Sequence, residues 1–487
     1  MSVIKEPVML DRTGRELIEV GKSIAAALWA EKSTLIPSKD VNLYDYDGTI
    51  VYSYTRAEFL GLDALPAFPA HEGLTAQGWN WTLADAKAHV QKYTYLDIGV
   101  NYITDDGKTR LYVEIGYPEN LTITINYVQS SGSVVTIDWG DGNTETTEVT
   151  TVPSGESKRT HTYAEQGRYV VTLDISEEGT LALGTGTGTG ETLLAAGGLS
   201  KAFFWQGGQG RIAGKDALLA LEIGNGVTAI RGGALAFSTR LKYITVPTTC
   251  TTFGDLSLCG CFKLQAVVYP TGVTRIGNMA HLCNYDIKGI CLPSTVTALG
   301  TSVFKTCTEL RRMIIPEGVT AIPNYAFAGL HTATIISLPD TIAGTLGNYA
   351  FHCCYCLEEL NLPVGITAIG TYAFSQCHNL RGIELPEGLT TIGAHAFVSC
   401  FGFKDLVIPS TVTSIAAFAF LYNDGCNEFH VKAETPPTLE PTAFTAIGGV
   451  NTVIYVPYSE DHSILAAYLA ATGWSSKGDY IQEEVEA

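Results

Sequence analysis

Residues 380–403 read LRGIELPEGLTTIGAHAFVSCFGF, and the reading of this stretch decides the fold. Ile383 and Leu385 stand two apart, the spacing of one face of a strand, and Pro386 ends that strand because it brings no N–H to a ladder. The same proline recurs at Pro247, Pro270, Pro293, Pro316, Pro339, Pro363 and Pro409, at intervals of 23 residues with a single 24. A second marker, usually after Ala, is the series Phe237, Phe304, Phe327, Phe351, Phe374, Phe397 and Phe420, and a third is the apolar residue at Ile230, Ile276, Leu299, Ile322, Ile369, Ile392 and Ile415. A period this regular marks a repeat array. Each unit is a strand, a turn and a return segment that cannot bury its apolar face alone. Stacked at ~4.8 Å, about ten such units make a rod of roughly 45–50 Å with one continuous core.

The unit L-x-x-I-x-L-P-x-x-V-T-x-I-x-x-x-A-F-x-x-C-x-x resembles the BspA-like class of leucine-rich repeats, over residues 216–487. The ending, Ile454-Tyr455-Val456-Pro457 followed by Ala466-Ala467-Tyr468 and Thr472-Gly473-Trp474, looks like the terminal unit and capping helix of such arrays. The resemblance implies binding or adhesion and carries no catalytic residues.

All twelve cysteines lie between Cys250 and Cys426. Cys261, Cys307, Cys354, Cys377 and Cys400 each stand nine residues before a repeat proline, where Ser238, Asn284 and Leu330 stand in other units. The column therefore calls for a small buried side chain rather than a thiol. His352-Cys353-Cys354-x-Cys356 and Cys259-x-Cys261 lack the paired C-x-x-C knuckles of a zinc site. Disulfides are not required, and so many thiols suit synthesis in a reducing cytoplasm.

Five residues before the proline stand Lys242, Gln265, Lys288, Arg311, Thr334, Glu358, Arg381 and Lys404. The five basic members read first as solvating the start of each strand. Their second reading is a ligand-binding stripe able to hold acidic glycans or phosphate-bearing polymers. The column between the two core residues, Thr245, Val268, Cys291, Ile314, Ser337, Asn361, Glu384 and Val407, is mixed. It suits either recognition of a protein or glycan or burial against another layer.

Residues 118–182 alternate Thr, Ile, Val and Tyr in period-two strands. Trp139-Gly140-Asp141-Gly142, then His161-Thr162-Tyr163 and a closing strand through Tyr169, resemble a PKD-type immunoglobulin-like domain. That resemblance implies a structural motif in which the buried His and Tyr bond to backbone, and a spacer role. Asp138 and Asp141 alone fall short of the six to eight oxygens that calcium prefers. Gly184-Thr-Gly-Thr-Gly-Thr-Gly190 reads as a flexible linker, leaving this domain and the solenoid as separate bodies.

Residues 1–115 read as mixed α and β. Thr55-x-x-Glu58 is a capping box and Thr82 caps a helix bearing Leu83, Ala86, Val90 and Tyr93 on one side. Strands are expected at 41–43, 49–51 and 110–115, with Asp105-Asp106-Gly107 as a hairpin turn. Asp45-Tyr46-Asp47-Gly48-Thr49 matches the D-x-D-G-T nucleophile motif of haloacid-dehalogenase-like phosphatases. Too little chain follows it for that parallel α/β core, so it reads as an Asp-Gly turn between two strands. With Gly61-Leu-Asp-Ala-Leu65 and Gly73-Leu-Thr-Ala-Gln-Gly-Trp-Asn-Trp81, the segment resembles a module placed ahead of leucine-rich repeats in proteins of gut Firmicutes and their prophages. This implies attachment or assembly.

The net charge is −19, distributed as −5 over residues 1–115, −7 over 116–190, −1 over 191–430 and −6 over 431–487. Nucleic acid and anionic membranes are disfavoured as general partners. The run Ser23–Ala30 is short and preceded by Glu6, Asp11, Glu16 and Glu19, so a cleaved signal peptide is not expected.

The sequence thus predicts a multidomain chain. A small α+β attachment module (1–116) precedes a PKD/immunoglobulin-like β-sandwich (117–183), a Gly/Thr linker (184–190) and a leucine-rich-repeat β-solenoid with a C-terminal cap (191–487). The implied function is non-enzymatic: the receptor-binding or host-recognition component of a phage or prophage tail. The alternative is a bacterial cell-surface adhesin for host matrix or glycans, and the last alternative is a phosphatase-like enzyme at Asp45 and Asp47. The expected partners are a cell-surface glycan or protein receptor on the solenoid and other tail or surface-structure proteins on the amino-terminal module. A homo-oligomer, trimeric as in tail appendages, is also expected. No cofactor, metal, nucleic acid or membrane insertion is expected, and the location is a virion tail or an extracellular surface.

Overall fold

The structure, a computed structural model, describes residues 39–115, 121–148, 155–185, 204–206, 217–447 and 452–484. The apolar run 23–30 and most of the Gly/Thr stretch lie outside them.

β1 (Val41–Tyr44), β2 (Ile50–Tyr54), β3 (Leu74–Trp79) and β4 (Leu96–Thr104) form a mixed sheet in the order β2-β1-β4-β3. Asp45–Thr49 is the turn between β1 and β2, closed by Gly48 N to Asp45 O and by Thr49 N to Asp47 Oδ1. The helix Arg56–Leu60 starts at the Thr55/Glu58 capping box, and the helix Leu83–Tyr93 starts at Thr82 and buries Ala86, His89 and Val90.

The expected hairpin at Asp105–Gly107 is a crossing between sheets. β5 (Thr109–Ile115) leaves the first sheet and pairs antiparallel with β10 (Gly167–Ile175) and with the first solenoid strand, β13 (Leu218–Glu222). Through these pairings, β7 (Val134–Asp138), β8 (Thr144–Glu148) and β15 (Tyr243–Thr245) complete one sheet in the order β15-β13-β5-β10-β7-β8. A second sheet runs β12-β6-β11-β14-β16, from Phe204–Gln206, Thr122–Gln129, Leu181–Leu183, Val227–Ile230 and Thr252–Phe253, with β9 (Gly155–Thr162) also on β6. The two bodies expected to be separate therefore share both sheets. One core cluster runs without a break from Leu111 to Ile481.

Among the described residues the solenoid carries eleven strands on one side, from β13 to Val453–Val456, each parallel to the next wherever they pair. The return segments make a second parallel ladder, which includes Gly365–Ile369, Thr391–Ile392 and Ser414–Ile415. Phe304, Phe327, Phe351, Phe374, Phe397, Phe420 and Phe444 stack inside, centroids 5.0–6.0 Å apart. Phe237 is out of phase with this column. Leu235 and Leu258 occupy its early positions, His281 the third, and Phe237 packs in a small cluster with Leu256 and Cys259.

The cysteine column is more selective than size alone requires. The thiols of Cys261, Cys307, Cys354, Cys377 and Cys400 donate to the carbonyls of Leu235, His281, Phe327, Phe351 and Phe374 at 3.1–3.3 Å, and Asn423 Nδ2 does the same to Phe397 O at 2.9 Å. These six units satisfy a carbonyl that would cost about 1–3 kcal/mol unpaired in the core, whereas Leu330 carries no donor and the Ser238 hydroxyl is unpaired among the described residues. None of the twelve cysteines is joined in a disulfide. Among the described residues, no three His, Cys, Asp or Glu side chains converge as metal ligands.

At the far end Tyr468, on the helix Ser463–Ala470, and Trp474 are fully buried and donate to Ala433 O and Pro437 O. The strand Ile481–Glu483 then pairs with Val453–Val456.

His281 carries a testable consequence. Asn284 Nδ2 donates to its Nδ1, so Nε2 holds the proton and donates to Tyr269 Oη at 2.6 Å. Burial pushes its pKa down to about 3, and those of His89 and His331 to about 4. Below an unfolded value of about 6.5 the unfolded chain binds protons these rings refuse. Their stabilisation is therefore complete above pH 6.5 and declines as pH falls, by about 1.4 kcal/mol per pH unit for each ring. His281→Phe, which extends the Phe column, should reduce the slope of stability against pH between 6 and 4 by that amount in denaturant titrations. An unchanged slope would refute the assignment.

Candidate functional site

The outward face of the first strand ladder is where a repeat rod presents a rigid surface, and the structure divides it in two. Along its first half the sheet β2-β1-β4-β3 lies on it. Thr245, Val268, Cys291 and Ile314 are 0–6% exposed, whereas Val407 in the same column is 48% exposed and Asn361 and Glu384 are exposed as well. The mixed column thus changes its environment where the covering sheet ends.

Contact is close because glycines permit it. A Cβ on Gly99 of β4 would stand 2.5 Å from Val268 Cγ2, and one on Gly289 would stand 3.3 Å from the Tyr44 ring. Polar side chains close the seam. Asn80 Nδ2 donates to Tyr269 O and Cys291 O, Asn101 Nδ2 to Val246 O and Val268 O, and Trp81 Nε1 to Leu292 O, all at 2.8–3.1 Å. Arg312 is the anchor. It donates to Lys39 O and Asp40 O at 2.9 and 2.7 Å, and it sits 3.1 Å from Asp97 Oδ1 in an ionic contact outside hydrogen-bond geometry. Both side chains are over nine-tenths buried, and burial pushes the Asp97 carboxyl up against the pull of the guanidinium.

At the edge of the covered half a groove of about 540 Å³ opens between Lys92, Tyr93 and Tyr95 on one side and Ser337, Glu358 and Asn361 on the other. Its rim is held by Lys92 Nζ on Glu317 at 2.6 Å and by Asp340 N on Tyr93 Oη at 3.1 Å. Thr94, in its wall, has φ 68° and ψ −52°, with Tyr95 N donating to Tyr93 O at 2.8 Å. That is a γ-turn of the rare positive-φ kind, a strain of about 1–3 kcal/mol for a β-branched residue.

Beyond the groove the face is open. Glu359, Glu384, Asp405 and Glu428 are exposed along it, and Arg381 and Lys404 stand at its strand entries. The expected basic column does not converge on one place. Lys242, Lys288, Arg381 and Lys404 are exposed and Arg311 half-buried, while the backbone of each entry position follows the turn-to-turn ladder. At ~4.8 Å per turn, Lys242 and Lys404 lie about 34 Å apart, with Glu358 interrupting the series.

The other expected motifs fall into place locally. Asp45 is buried and accepts from its neighbour Tyr46 N, with His71 Nε2 at 2.7 Å from its other oxygen, so its carboxylate is engaged within the turn. In the Trp139–Gly142 motif, Gly140 has φ +79° and a Cβ there would meet Val170 O at 2.6 Å. Tyr163 Oη donates to Trp139 O, as the resemblance implies. His161 instead stacks on Trp139 and bonds the Asp141 carboxylate at 2.7 Å, not backbone. Asp138 accepts from Gly140 N and Asp141 from Asn143 N, so both carboxylates serve the turn.

Sequence reasoning missed the docking residues, although the run Gly78-Trp79-Asn80-Trp81 is a usable signal: polar and aromatic side chains crowded at the end of a strand.

Comparison with known proteins agrees with the repeat geometry. Residues 213–334, 302–427 and 344–455 match the BspA type leucine rich repeat region, so residues 213–455 are a region of that kind. A leucine-rich repeat protein from Bacteroides ovatus is 23% identical over 57% of this chain and 73% of its own, with a TM-score of 0.42. A leucine rich cell surface protein from Faecalibacterium prausnitzii is 19% identical over 51% and 86%, with a TM-score of 0.27. The pneumococcal vaccine antigen PcpA is 18% identical over 54% and 78%, with a TM-score of 0.34. No curated protein matches the chain. Among the described residues, no helix is long and apolar enough to cross a membrane.

The anchor yields a prediction. Arg312→Ala leaves Asp97 buried without its counter-charge and should cost about 3–5 kcal/mol, seen as release of residues 39–104 to limited proteolysis. The double change Asp97→Asn with Arg312→Met should recover most of the loss. A single variant as protease-resistant as the parent would show that the pair does not hold the sheet down.

Proposed function

We propose that this chain is a non-enzymatic binding protein of the BspA type, acting at a cell surface on a host matrix protein or glycan, with the open half of the strand face as its contact surface. The observation that carries this reading is the division of the face. The first half is occupied by the chain's own amino-terminal sheet, and the second half holds outward columns on a rigid ladder. A preordered surface of this kind loses little entropy on binding. The BspA-type match supports the surface adhesin over the tail component. The tail reading relied on the amino-terminal module to attach to other tail proteins, and that module directs β4 onto its own solenoid.

Within this reading, residues 117–183 are a PKD-like element, supported by the turn at Gly140 and the Tyr163–Trp139 bond. The segment from Ser463 to Glu483 acts as the carboxy-terminal cap, supported by the burial of Tyr468 and Trp474. The Asp45–Thr49 turn has no catalytic role, consistent with the engagement of Asp45 by His71 and Tyr46.

The test offers the full chain to mammalian matrix proteins, mucin glycans and bacterial cells side by side. Matrix or mucin should bind, and Glu384→Lys with Val407→Asp, both exposed, should weaken that binding at least about tenfold without moving the unfolding midpoint. Binding to bacterial cells alone would return the weight to the tail reading. Binding indifferent to both substitutions would remove the open face from the account.

A further inference from the structure

A second surface, separate from the open face, lies where β5 and β10 meet the start of the solenoid. Four strands stand side by side there, β10, β5, β13 and β15, and one row of residues crosses them in register: Val170, Tyr112, Ala220 and Tyr243. Ala220 is the small member between two tyrosines. With strands ~4.8 Å apart, the rings of Tyr112 and Tyr243 are rooted about 10 Å from each other, and Ala220 between them is only 3% exposed, so the small residue lets the two rings close over it. Both rings are half-buried and fixed. Tyr112 Oη donates to Glu222 at 2.8 Å, and Tyr243 packs edge-on against Tyr46 at 5.6 Å. The two rings line a groove of about 850 Å³, within the range of small-ligand clefts.

Charge singles this groove out. In a chain of net charge −19, four cations line it: Arg168, Arg240, Lys242 and Lys263. Three carboxylates stand against them, Glu222 on the Tyr112 hydroxyl and two in ion pairs. Glu114 takes both guanidiniums, with Arg168 Nε at 3.3 Å and Arg240 closer, and Asp286 takes Lys263 at 2.9 Å. Hydrogen bonding from Arg240 holds the Glu114 carboxyl below its ordinary range. Lys242 has no ion-pair partner among the described residues, and Arg168 is 77% exposed beside its shared carboxylate. The groove therefore keeps a positive balance around two aromatic walls.

We propose that this groove binds an anionic oligosaccharide, a sugar chain carrying carboxylate or sulfate groups. A pyranose ring stacks on the exposed parts of the Tyr112 and Tyr243 rings, and its acidic substituents face Lys242 and Arg168. Aromatic walls select a ring with apolar faces, and cations select its charge; a simple anion needs only the second. Lys242, a member of the basic column, is supplied by the fold with such walls.

The test measures binding of the full chain to three oligosaccharides of equal length, one sulfated, one a polyuronate and one neutral, with a single-stranded DNA of matched charge as a fourth probe. Either or both acidic sugars should bind, more weakly as salt is raised, while the neutral sugar and the DNA should not. Which acidic sugar binds tells sulfate from carboxylate. Lys242→Glu with Arg168→Glu, both at exposed positions, should weaken binding at least about tenfold at an unchanged unfolding midpoint. Lys404→Glu, far along the rod, should leave it intact. Tyr243→Leu, which removes one aromatic wall and keeps the charges, should weaken sugar binding at least about tenfold. Equal binding of the neutral sugar, equal binding of the DNA, no binding of either acidic sugar, or indifference to the double variant would each overturn the proposal. Because Glu384→Lys and Val407→Asp lie elsewhere, loss of the open-face activity and loss of this one are read independently.

Discussion

A parallel ladder has an open edge at each end, and this structure depends on how those edges are closed. An unpaired strand edge offers a row of free N–H and C=O groups to any other chain. Here the first turn of the solenoid meets β5 on one ladder and β11 on the other, so each sheet of the amino-terminal β-rich region continues into one ladder of the rod. At the other end Ile481–Glu483 adds to Val453–Val456, with Trp474 and Tyr468 buried beside it. The β-rich region is thus the beginning of the solenoid, and its removal would expose two edges together with the core face of Leu218 and Leu221.

The same repeat that builds the ladder prepares its outer face for a covering layer. Each repeat proline brings no N–H to the turn-to-turn bonding. At this end of the strands the side chains of Asn80, Trp81 and Asn101 supply donors to the backbone carbonyls. A buried polar seam of this kind is stable only when its groups are matched, which is why the amide side chains each serve two carbonyls and why Arg312 answers Asp97 together with two backbone oxygens.

The period, the strands, the inward Phe column and the caps of both amino-terminal helices were legible in the sequence, because each rests on local spacing. The cysteine column was legible as a position but not as a chemistry. Only the carbonyls of Phe327, Phe351 and Phe374 behind it reveal that Cys and Asn share the role of donor. Phe237 misled because its neighbours imitate the repeat two residues out of phase, while His281 hid in the true column because an imidazole does not look like a core residue until Tyr269 and Asn284 are seen around it. The transfer of β5 to another sheet, and the sheet lying on Thr245 to Ile314, were out of reach. A period says which residues face outward and not what lies on them. The change from Val268, Cys291 and Ile314 to Asn361 and Glu384 nevertheless records in the sequence where the cover stops.

That boundary bears on what the rod can recognise. The open half carries Glu359, Glu384, Asp405 and Glu428 against Arg381 and Lys404, a mixed and mostly acidic surface, whereas the groove on β5, β13 and β15 is positive. The covering sheet stands between them in strand order. The two faces are therefore held a fixed distance apart by one continuous core, and their opposite charge makes them unsuited to the same ligand. A single partner engaging both would have to present acidic groups at one end and basic or neutral ones at the other, with little help from flexibility in the rod. Two different partners face no such demand, so on the two proposed surfaces the charge pattern suits unlike ligands better than a longer footprint on one.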